Sequence, residues 1–295
     1  MLEPAFVQHL EKALSERLNT NITIDRVTAA HGGCINQAFL LHATQFTWFL
    51  KRNSASYEDM FAAEMDGLET LAQATAFKVP RALFYGSYGS VSYLLMDYLA
   101  LEGAIAERAF AAALREMHDT QGTQYGYHRD NYIGASAQFN NRHDSWFDFF
   151  MQERLERQVR MLSDNGNGQD LQRLWPDFYR ACETLFTNYQ PAASLLHGDL
   201  WQGNVGQVDG VPSIYDPACY FGDAETDLAM LELFGHPSQR FYETYDNGRD
   251  IPPGRDIRKH CYNLYHILNH ANLFGGGYLN QAKRLIRDII SAINR

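Results

Sequence analysis

The spacing of the apolar residues changes near residue 99, and this change limits the possible folds more than any other feature of the sequence. Before it, short β-like runs alternate with turns, at 21–30, 34–42, 46–51, 82–85 and 91–99. After it, apolar residues recur at helical spacing, at 105–118, 145–162, 171–189, 256–273 and 278–293. Further helices are predicted at 1–18 and 57–74. The sequence therefore predicts an α+β fold with two lobes. Residues 1–99 form a small antiparallel sheet with one helix between its strands, and residues 100–295 form a larger, mainly α lobe.

Two stretches of the second lobe lack a clear period. Residues 121–143 are rich in Gly, Tyr, Asn and His, which predicts an ordered or substrate-facing loop. Residues 195–224 are predicted to be irregular, and they carry the most unusual residues of the chain.

The charge of the chain excludes some classes of partner. The formal net charge is −10 and the sequence pI is about 5.5, so no basic field exists to attract nucleic acid or an anionic membrane surface. No run of about 18 apolar residues occurs, so no membrane-spanning segment is predicted. A phosphate-binding site in such a chain needs local compensation from a lysine, backbone N–H groups and a divalent cation.

The cysteines indicate a reducing compartment. Cys34, Cys182, Cys219 and Cys261 lie far apart and form no CxxC pair, which does not support a zinc site or a disulfide framework. The first 18 residues have the pattern of an amphipathic helix rather than of a signal peptide. We therefore expect free thiols and a cytoplasmic protein.

The segment LLHGDLWQGN at 195–204 has the spacing of a kinase catalytic loop, with Asp199 followed five residues later by Asn204. Phosphoryl transfer needs a carboxylate that accepts the proton of the attacking hydroxyl, and oxygen ligands that hold Mg²⁺ against the phosphates. Asp216 follows another β-like run, twelve residues after Asn204. These residues predict Asp199 as the base and Asn204 and Asp216 as metal ligands. Taken alone, an Asp and an Asn at this spacing are also typical of a capped turn.

Lys51 and Glu64 form a second predicted pair. Lys51 ends the apolar run WFLK, and Glu64 lies thirteen residues later in the inward-facing stripe of the predicted helix 57–74. A lysine held by a helix glutamate positions ATP phosphates in kinases, and the pairing gives both charged residues a reason to lie inward. The alternative is a solvated lysine at a strand end.

Two further segments are predicted to contact the nucleotide. Gly32 and Gly33, ahead of Lys51, allow backbone N–H groups to approach phosphates closely. Met96, Asp97 and Tyr98 form an apolar-then-acidic connector between the lobes, whose backbone groups would bind the adenine edge. The alternative for the connector is a simple buried strand.

Three segments together resemble the fructosamine kinase (ketosamine 3-kinase) family across essentially the whole chain: LLHGDLWQGN at 195–204, IYDPACYFGDAETDLAML at 214–231 and LYHILNHANLFGGGY at 264–278. The HGD and Asn elements are shared with aminoglycoside and choline kinases, whereas the Trp of HGDLW, the DPACYxGD continuation and the LFGG are particular to the ketosamine group. The resemblance implies a protein-kinase-like fold with ATP and Mg²⁺. It also implies transfer of the γ-phosphate to the 3-hydroxyl of a ketosamine, a sugar–amine adduct, which then decomposes and releases the amine.

The resemblance extends the predicted roles to further residues. It supports Asp199 as base, Asn204 and Asp216 as magnesium ligands, Lys51 as the phosphate-binding lysine and Glu64 as its partner. Trp201 presents an aromatic face to the sugar adduct or packs the loop, and both readings stay open. Asp227 is expected to brace the catalytic loop from a helix.

Cys34 carries a hypothesis of its own. Its place beside the glycine pair and Lys51 would lower the pKa of its thiol and make it redox-sensitive. The alternative is a small apolar residue that begins a strand.

Three other functions compete with the ketosamine kinase. An aminoglycoside or choline phosphotransferase would share the HGD, Asn and Asp apparatus but needs acidic or aromatic groups for a polycation. A protein kinase is disfavoured because no APE-like segment follows Asp216 and Gly198 stands where an arginine is usual. A nucleotide-binding pseudokinase would be expected to lack at least one of the residues predicted to act in catalysis. All of them are present: Lys51, Glu64, Asp199, Asn204 and Asp216. The expected acceptor is a ketosamine that is either a small molecule or bound to a protein.

Overall fold

The fold begins with a five-stranded sheet. The computed structural model describes residues 2–30, 35–103, 105–235 and 237–294. Its first sheet is antiparallel, with strand order β1-β2-β3-β5-β4. The strands are β1 (Arg26–Ala30), β2 (Gln37–His42), β3 (Thr47–Ser54), β4 (Ala82–Tyr88) and β5 (Val91–Asp97). The predicted small antiparallel sheet is therefore present.

Alternating side chains of this sheet face two different helices. On one face, Trp48 and Leu50 of β3 pack in a cluster with Leu10 and Leu14 of α1 (Pro4–Leu18). On the other face, Leu94 of β5 packs with the helix α2 (Glu58–Ala74). Because successive side chains of a strand point to opposite faces, Lys51 lies on the α2 side, opposite to Leu50. Strand alternation thus aims the lysine at the helix that carries Glu64.

The rest of the described chain is mostly helical. The helices are α3 (Glu107–Asp119), α4 (Trp146–Phe149), α5 (Arg157–Asp164), α6 (Gln169–Phe186), α7 (Glu225–Leu233), α8 (Gln239–Tyr245), α9 (Arg255–Phe274) and α10 (Tyr278–Ile293). Their apolar faces form one large cluster that includes Trp146, Phe150, Phe178 and Tyr262. No helix of the described residues is long and apolar enough to span a membrane.

Short strand pairs fill the segments between these helices. They are β6 (Asn131–Ile133) with β7 (Ser136–Gln138), β8 (Ser194–Leu196) with β11 (Tyr220–Gly222), and β9 (Val205–Val208) with β10 (Val211–Ile214). Residue 78, in the connection that leads to β4, forms backbone hydrogen bonds with residues 212 and 214 of β10. These bonds join the two predicted lobes. The predicted boundary near residue 99 stays a prediction.

Four predictions differ from the structure in detail. The segment 195–224, which is predicted to be irregular, contains most of β8 and all of β9, β10 and β11. The β-like run at 21–30 becomes a strand only from Arg26. The predicted loop at 121–143 contains the β6–β7 hairpin, whose three-residue strands are too short to show a period. The predicted helix at 145–162 is interrupted by a π-helical segment, Phe150–Glu156, between α4 and α5. The boundaries differ because pairing partners distant in sequence decide where these elements begin and end.

The packing of α1 on the sheet generates a stability prediction. Leu10 is fully buried, so Leu10→Ala is expected to lower the free energy of unfolding by about 2–5 kcal/mol through lost burial and the cavity left behind. Gln8→Ala changes an exposed position of the same helix and is expected to alter it by less than about 0.5 kcal/mol. Urea denaturation followed by circular dichroism measures both. Equal effects of the two variants would contradict this packing.

Candidate active site

The loop after β8 has a backbone shape that only glycine permits. Gly198 has φ +81°, and a Cβ atom there would lie 2.1 Å from the carbonyl oxygen of Ala218. A side chain at this position would therefore collide with backbone. The requirement explains the glycine of His197-Gly198-Asp199, and it fixes how closely the loop approaches the segment after Asp216.

Asp227 of α7 holds this loop through its backbone, as the sequence analysis expects. The buried Asp227 carboxylate accepts hydrogen bonds from the N–H groups of His197 (2.7 Å) and Gly198 (2.9 Å). It also accepts one from Nε2 of His118 at 3.2 Å, whose Nδ1 lies 2.6 Å from the hydroxyl of Tyr245. Burial alone would raise the pKa of Asp227, but these hydrogen bonds and the neighbouring imidazoles hold that pKa below its ordinary value. The group that holds the loop backbone is thus the ionised carboxylate of Asp227.

Asn204 orients the side chain of Asp199. Its Nδ2 donates to the carbonyl oxygen of Asp199 at 2.9 Å and to Oδ2 of the same residue at 3.1 Å. Burial and the negative charge of Asp216 raise the pKa of Asp199 to about 7, although the hydrogen bond from Asn204 opposes the rise. The carboxylate of Asp199 is therefore more basic than an ordinary aspartate.

Lys51 lies between two carboxylates. Its Nζ is 2.5 Å from Oε1 of Glu64 on α2 and 2.5 Å from Oδ1 of Asp216, which follows β10. Burial disfavours the ammonium, yet the charges of Asp216 and Glu64 outweigh it and raise the pKa of Lys51 above its ordinary value. The predicted pairing of Lys51 with Glu64 is thus present, and the structure adds Asp216 to it.

Asp216 has an unusual backbone conformation. Its φ is +58°, a left-handed conformation that Asp adopts more readily than most residues other than glycine. Its side chain is 41% exposed, whereas that of Lys51 is 8% exposed. One side of the carboxylate thus faces the ammonium, and the rest is accessible from the cleft.

Two cavities meet at these residues. The sheet-side cavity, of about 590 Å³, lies between the sheet and the loop that carries Trp201 and Asn204, and its walls include Phe49, Met96 and Leu101. The α9-side cavity, of about 330 Å³, is lined by Asp199, the β6–β7 hairpin and α9. Both cavities are lined by Lys51, Trp201, Asn204 and Asp216. Lys51, Asn204 and Asp216 therefore stand at the junction, and Asp199 faces the α9 side.

The connector residues line the sheet-side cavity. Met96 is buried in β5, and Tyr98 is 40% exposed just after it. The N–H of Asp97 donates to the carbonyl oxygen of Arg81 at 2.9 Å, and the Asp97 carboxylate pairs with the Arg81 guanidinium at 3.1 Å. Met96 thus lies within the strand and Tyr98 beyond its end, and both line the cavity, so adenine binding by the connector stays a prediction. Gly32, Gly33 and Cys34 lie outside the described residues.

Trp201 begins a row of aromatic rings at the mouth of the α9-side cavity. Its ring centroid is 5.8 Å from that of Phe234, which is 5.8 Å from the imidazole of His270. His270 in turn stacks on Phe274 at 5.7 Å. Trp201 also covers Gly203, where a Cβ would lie 2.3 Å from the indole ring. The indole therefore both packs the loop and faces the cavities, so the two readings of Trp201 are compatible.

Sequence reasoning missed part of the cavity wall. The β6–β7 hairpin and the side chains of His266, Asn269, His270 and Phe274 line the α9-side cavity. The sequence feature that could have indicated this wall is the helical spacing of these four residues, which places them on one side of α9. That spacing alone does not say which side of the helix faces Asp199.

Comparison with known proteins identifies the family of this chain. The family model described as “Fructosamine kinase” matches residues 6–292. The “Probable ketoamine kinase” of Vibrio cholerae serotype O1 is 36% identical over 98% of this chain and 99% of its own length. The “Protein-ribulosamine 3-kinase, chloroplastic” of Arabidopsis thaliana is 32% identical over 95% of this chain and 86% of its own.

Solved structures show the same architecture. A “Putative fructosamine-3-kinase” from Haemophilus somnus matches with a TM-score of 0.86 and 29% identity, over 95% of this chain and 96% of its own. Aminoglycoside phosphotransferase APH(4)-Ia matches with a TM-score of 0.56 and 16% identity, over 97% and 98% of the two chains, which is a likeness of fold alone. The predicted protein-kinase-like fold is therefore confirmed. From its family match and its relatives, this chain is a kinase that belongs to the fructosamine kinase family.

Proposed function

We propose that the protein transfers the γ-phosphate of ATP to the 3-hydroxyl of a ketosamine, a fructosamine or ribulosamine adduct, and so starts deglycation. The observation that carries this proposal is the junction of the two cavities, where Lys51 faces both and Asp199 faces only the α9 side. A donor on the sheet side and an acceptor on the α9 side would meet at that junction. Relatives named for ketoamines and ribulosamines support the acceptor class.

Asp199 would act as the base. The hydrogen bond from Asn204 goes to its Oδ2, which leaves Oδ1 for the hydroxyl of the acceptor. A carboxylate whose pKa is raised to about 7 takes up a proton more readily than an ordinary aspartate, as the attacking hydroxyl requires. Because Asp227 fixes the loop backbone, the carboxylate is positioned before the acceptor binds.

Lys51 would bind the phosphates of ATP. Its ammonium keeps its charge in a buried place because Glu64 and Asp216 compensate it. Glu64 lies on α2 and would hold the lysine after phosphate arrives. Gly32 and Gly33 are proposed to add backbone N–H groups above the phosphates, and the backbone of Met96, Asp97 and Tyr98 to bind adenine. Because the N–H of Asp97 is already paired, Tyr98 and the remaining acceptors of the connector are left for this contact.

The oxygen atoms available at the junction of the two cavities suit Mg²⁺ as ligands. Asn204 uses its Nδ2 for Asp199, and among the described residues no donor occupies its Oδ1. Asp216 pairs with Lys51 through Oδ1, and within the described ranges Oδ2 has no hydrogen-bond partner. Two free oxygens suit a cation that takes its other ligands from phosphates and water. When bound there, the ion would neutralise negative charge on the phosphates during transfer.

The aromatic row supports an acceptor that carries more than a sugar. Trp201, Phe234 and Phe274 are 38%, 43% and 57% exposed, so apolar faces remain open to solvent at the cavity mouth. A protonated amine is attracted to such faces, and the substituent of the amine can extend past them. This arrangement favours a sugar–amine adduct over a plain sugar.

Asp199→Asn tests the base. We expect kcat to fall by about 10²–10⁴-fold, because the amide cannot accept the proton, while the Kd for ATP changes little. Magnesium-dependent ADP release with ribulose-lysine and fructose-lysine measures the rate, and titration calorimetry measures ATP binding. Asp209→Asn, at an exposed turn, is the matched control. Wild-type turnover only with aminoglycosides or choline would reject the acceptor class, and an unchanged kcat in Asp199→Asn would reject the base.

Lys51→Met tests the phosphate contact. The variant is expected to weaken ATP binding by about 10–100-fold, the size expected for loss of a charged hydrogen bond. Lys78→Met removes an exposed lysine and is expected to leave ATP binding unchanged. A thermal melt shows whether the two carboxylates left without their cation also destabilise the fold. Wild-type ATP affinity in a folded Lys51→Met would contradict the proposed role.

Asn204→Ala tests the metal site. Removal of one oxygen ligand is expected to raise the Mg²⁺ concentration that gives half-maximal rate. Gln202→Ala, an exposed change in the same loop, is expected to keep the wild-type value. Rates measured across a magnesium titration at saturating ATP distinguish the two variants. Equal requirements in Asn204→Ala and wild type would place the ion elsewhere.

A further inference from the structure

His266 is a buried polar side chain in the wall of the α9-side cavity. It lies near the middle of α9 and is 5% exposed. The helix presents His266, Asn269, His270 and Leu273 to this cavity, at spacings of three and four residues. Asp199 lines the same cavity. The imidazole therefore faces the space in which the proposed acceptor would meet the base.

Two buried polar side chains close to His266 on α9 have partners, whereas Oδ1 of Asn263 and Nδ1 of His270 are buried without one among the described residues. The hydroxyl of Tyr265 donates to Oε1 of Gln138 at 2.7 Å. Nδ2 of Asn269 donates to the carbonyl oxygen of Ile133 at 3.3 Å. For His266, by contrast, no hydrogen-bond partner exists among residues 2–30, 35–103, 105–235 and 237–294. Buried polar groups in folded proteins are almost always hydrogen-bonded, because an unpaired one costs free energy. Because the imidazole lines the α9-side cavity, a hydroxyl bound in that cavity is placed to supply the partner.

The charge state of His266 limits the kind of partner. Burial lowers the pKa of His266 to about 3, the charges of His270 and Arg154 act in the same direction, and Asp227 opposes them. The imidazole is therefore neutral near pH 7, with one nitrogen that donates and one that accepts. A neutral donor and acceptor pair matches a hydroxyl, which also donates and accepts. To a phosphate or an ammonium group, by contrast, a neutral imidazole offers no compensating charge.

We infer that His266 binds a hydroxyl of the sugar part of the acceptor and thereby determines which acceptors the enzyme accepts. The inference rests on the proposed function, since it assigns a contact within the same acceptor site. A buried site that hydrogen-bonds a substrate hydroxyl discriminates strongly against analogues that lack it, because the protein group is then left unpaired. His266 would thus select for the sugar, while the aromatic row at the mouth faces the amine.

The test compares His266→Leu and His266→Gln with wild type, using fructose-lysine and ribulose-lysine as acceptors. We expect His266→Leu to raise the KM for the acceptor about tenfold, as for the loss of neutral hydrogen bonds. The KM for ATP should stay within about twofold, because the contact is made only to the acceptor. His266→Gln, which can still donate and accept, should recover part of the loss. His260→Leu makes the same change at an exposed position of α9 and should behave as wild type.

Deoxy analogues separate a direct contact from a structural effect. A set of fructose-lysine analogues, each lacking one hydroxyl at C4, C5 or C6, is assayed with wild type and with His266→Leu. If His266 binds one of these hydroxyls, its removal raises the KM of wild type but not that of the variant. Equal penalties in both enzymes for every analogue would overturn the inference and leave the imidazole bonded to water only.

The outcomes also separate this inference from the proposed function. If wild type turns over no ketosamine, the proposed function fails and the inference fails with it. If wild type turns over a ketosamine while a folded His266→Leu keeps the wild-type acceptor KM, only the inference fails. A thermal melt of each variant confirms the fold, and His266→Gln provides the comparison if His266→Leu unfolds.

Discussion

One buried carboxylate, that of Asp227, fixes the geometry on which the rest of the site depends. Burial of a charge is costly unless several donors compensate it, and here two backbone amides and an imidazole do so. The amides belong to His197 and Gly198, directly before Asp199. The proposed base is therefore positioned by its own backbone, which is held from α7. The glycine is required because Ala218 leaves no space for a side chain.

The segment after Asp216 is held in a similar way by the β6–β7 hairpin. Nδ2 of Asn131 donates to the carbonyl oxygen of Cys219 at 2.7 Å, and Nε2 of Gln138 donates to that of Ala218 at 3.0 Å. The same hairpin lines the α9-side cavity. One buried amide network thus connects the wall of the proposed acceptor site to the segment that carries the proposed metal ligand. Fully paired polar groups of this kind specify a single arrangement.

The sequence predicted the part of the site whose geometry is set locally. Asp199 and Asn204 lie in one loop, so their spacing along the chain is enough to predict that they are close together. Lys51 and Glu64 are directed at one another by strand alternation and helical spacing, which can also be read from the sequence. The contact of Lys51 with Asp216 spans 165 residues and has no local signal. The cavity face of α9, including His266, could not be predicted either, because helical spacing defines a face but tertiary packing decides what it meets. The β6–β7 hairpin was missed because three residues show no period.

Lys51 shares Asp216 with the proposed magnesium site, and this sharing links two binding events. In the structure the ammonium is already neutralised by two carboxylates, so an incoming phosphate has to compete with them. A cation that binds Asp216 weakens one of these attractions and leaves the ammonium more available to an anion. By thermodynamic reciprocity, the nucleotide then strengthens cation binding by the same factor as the cation strengthens nucleotide binding. If the proposed sites are correct, this arrangement would favour cooperative binding, in which each ligand raises the affinity of the junction for the other.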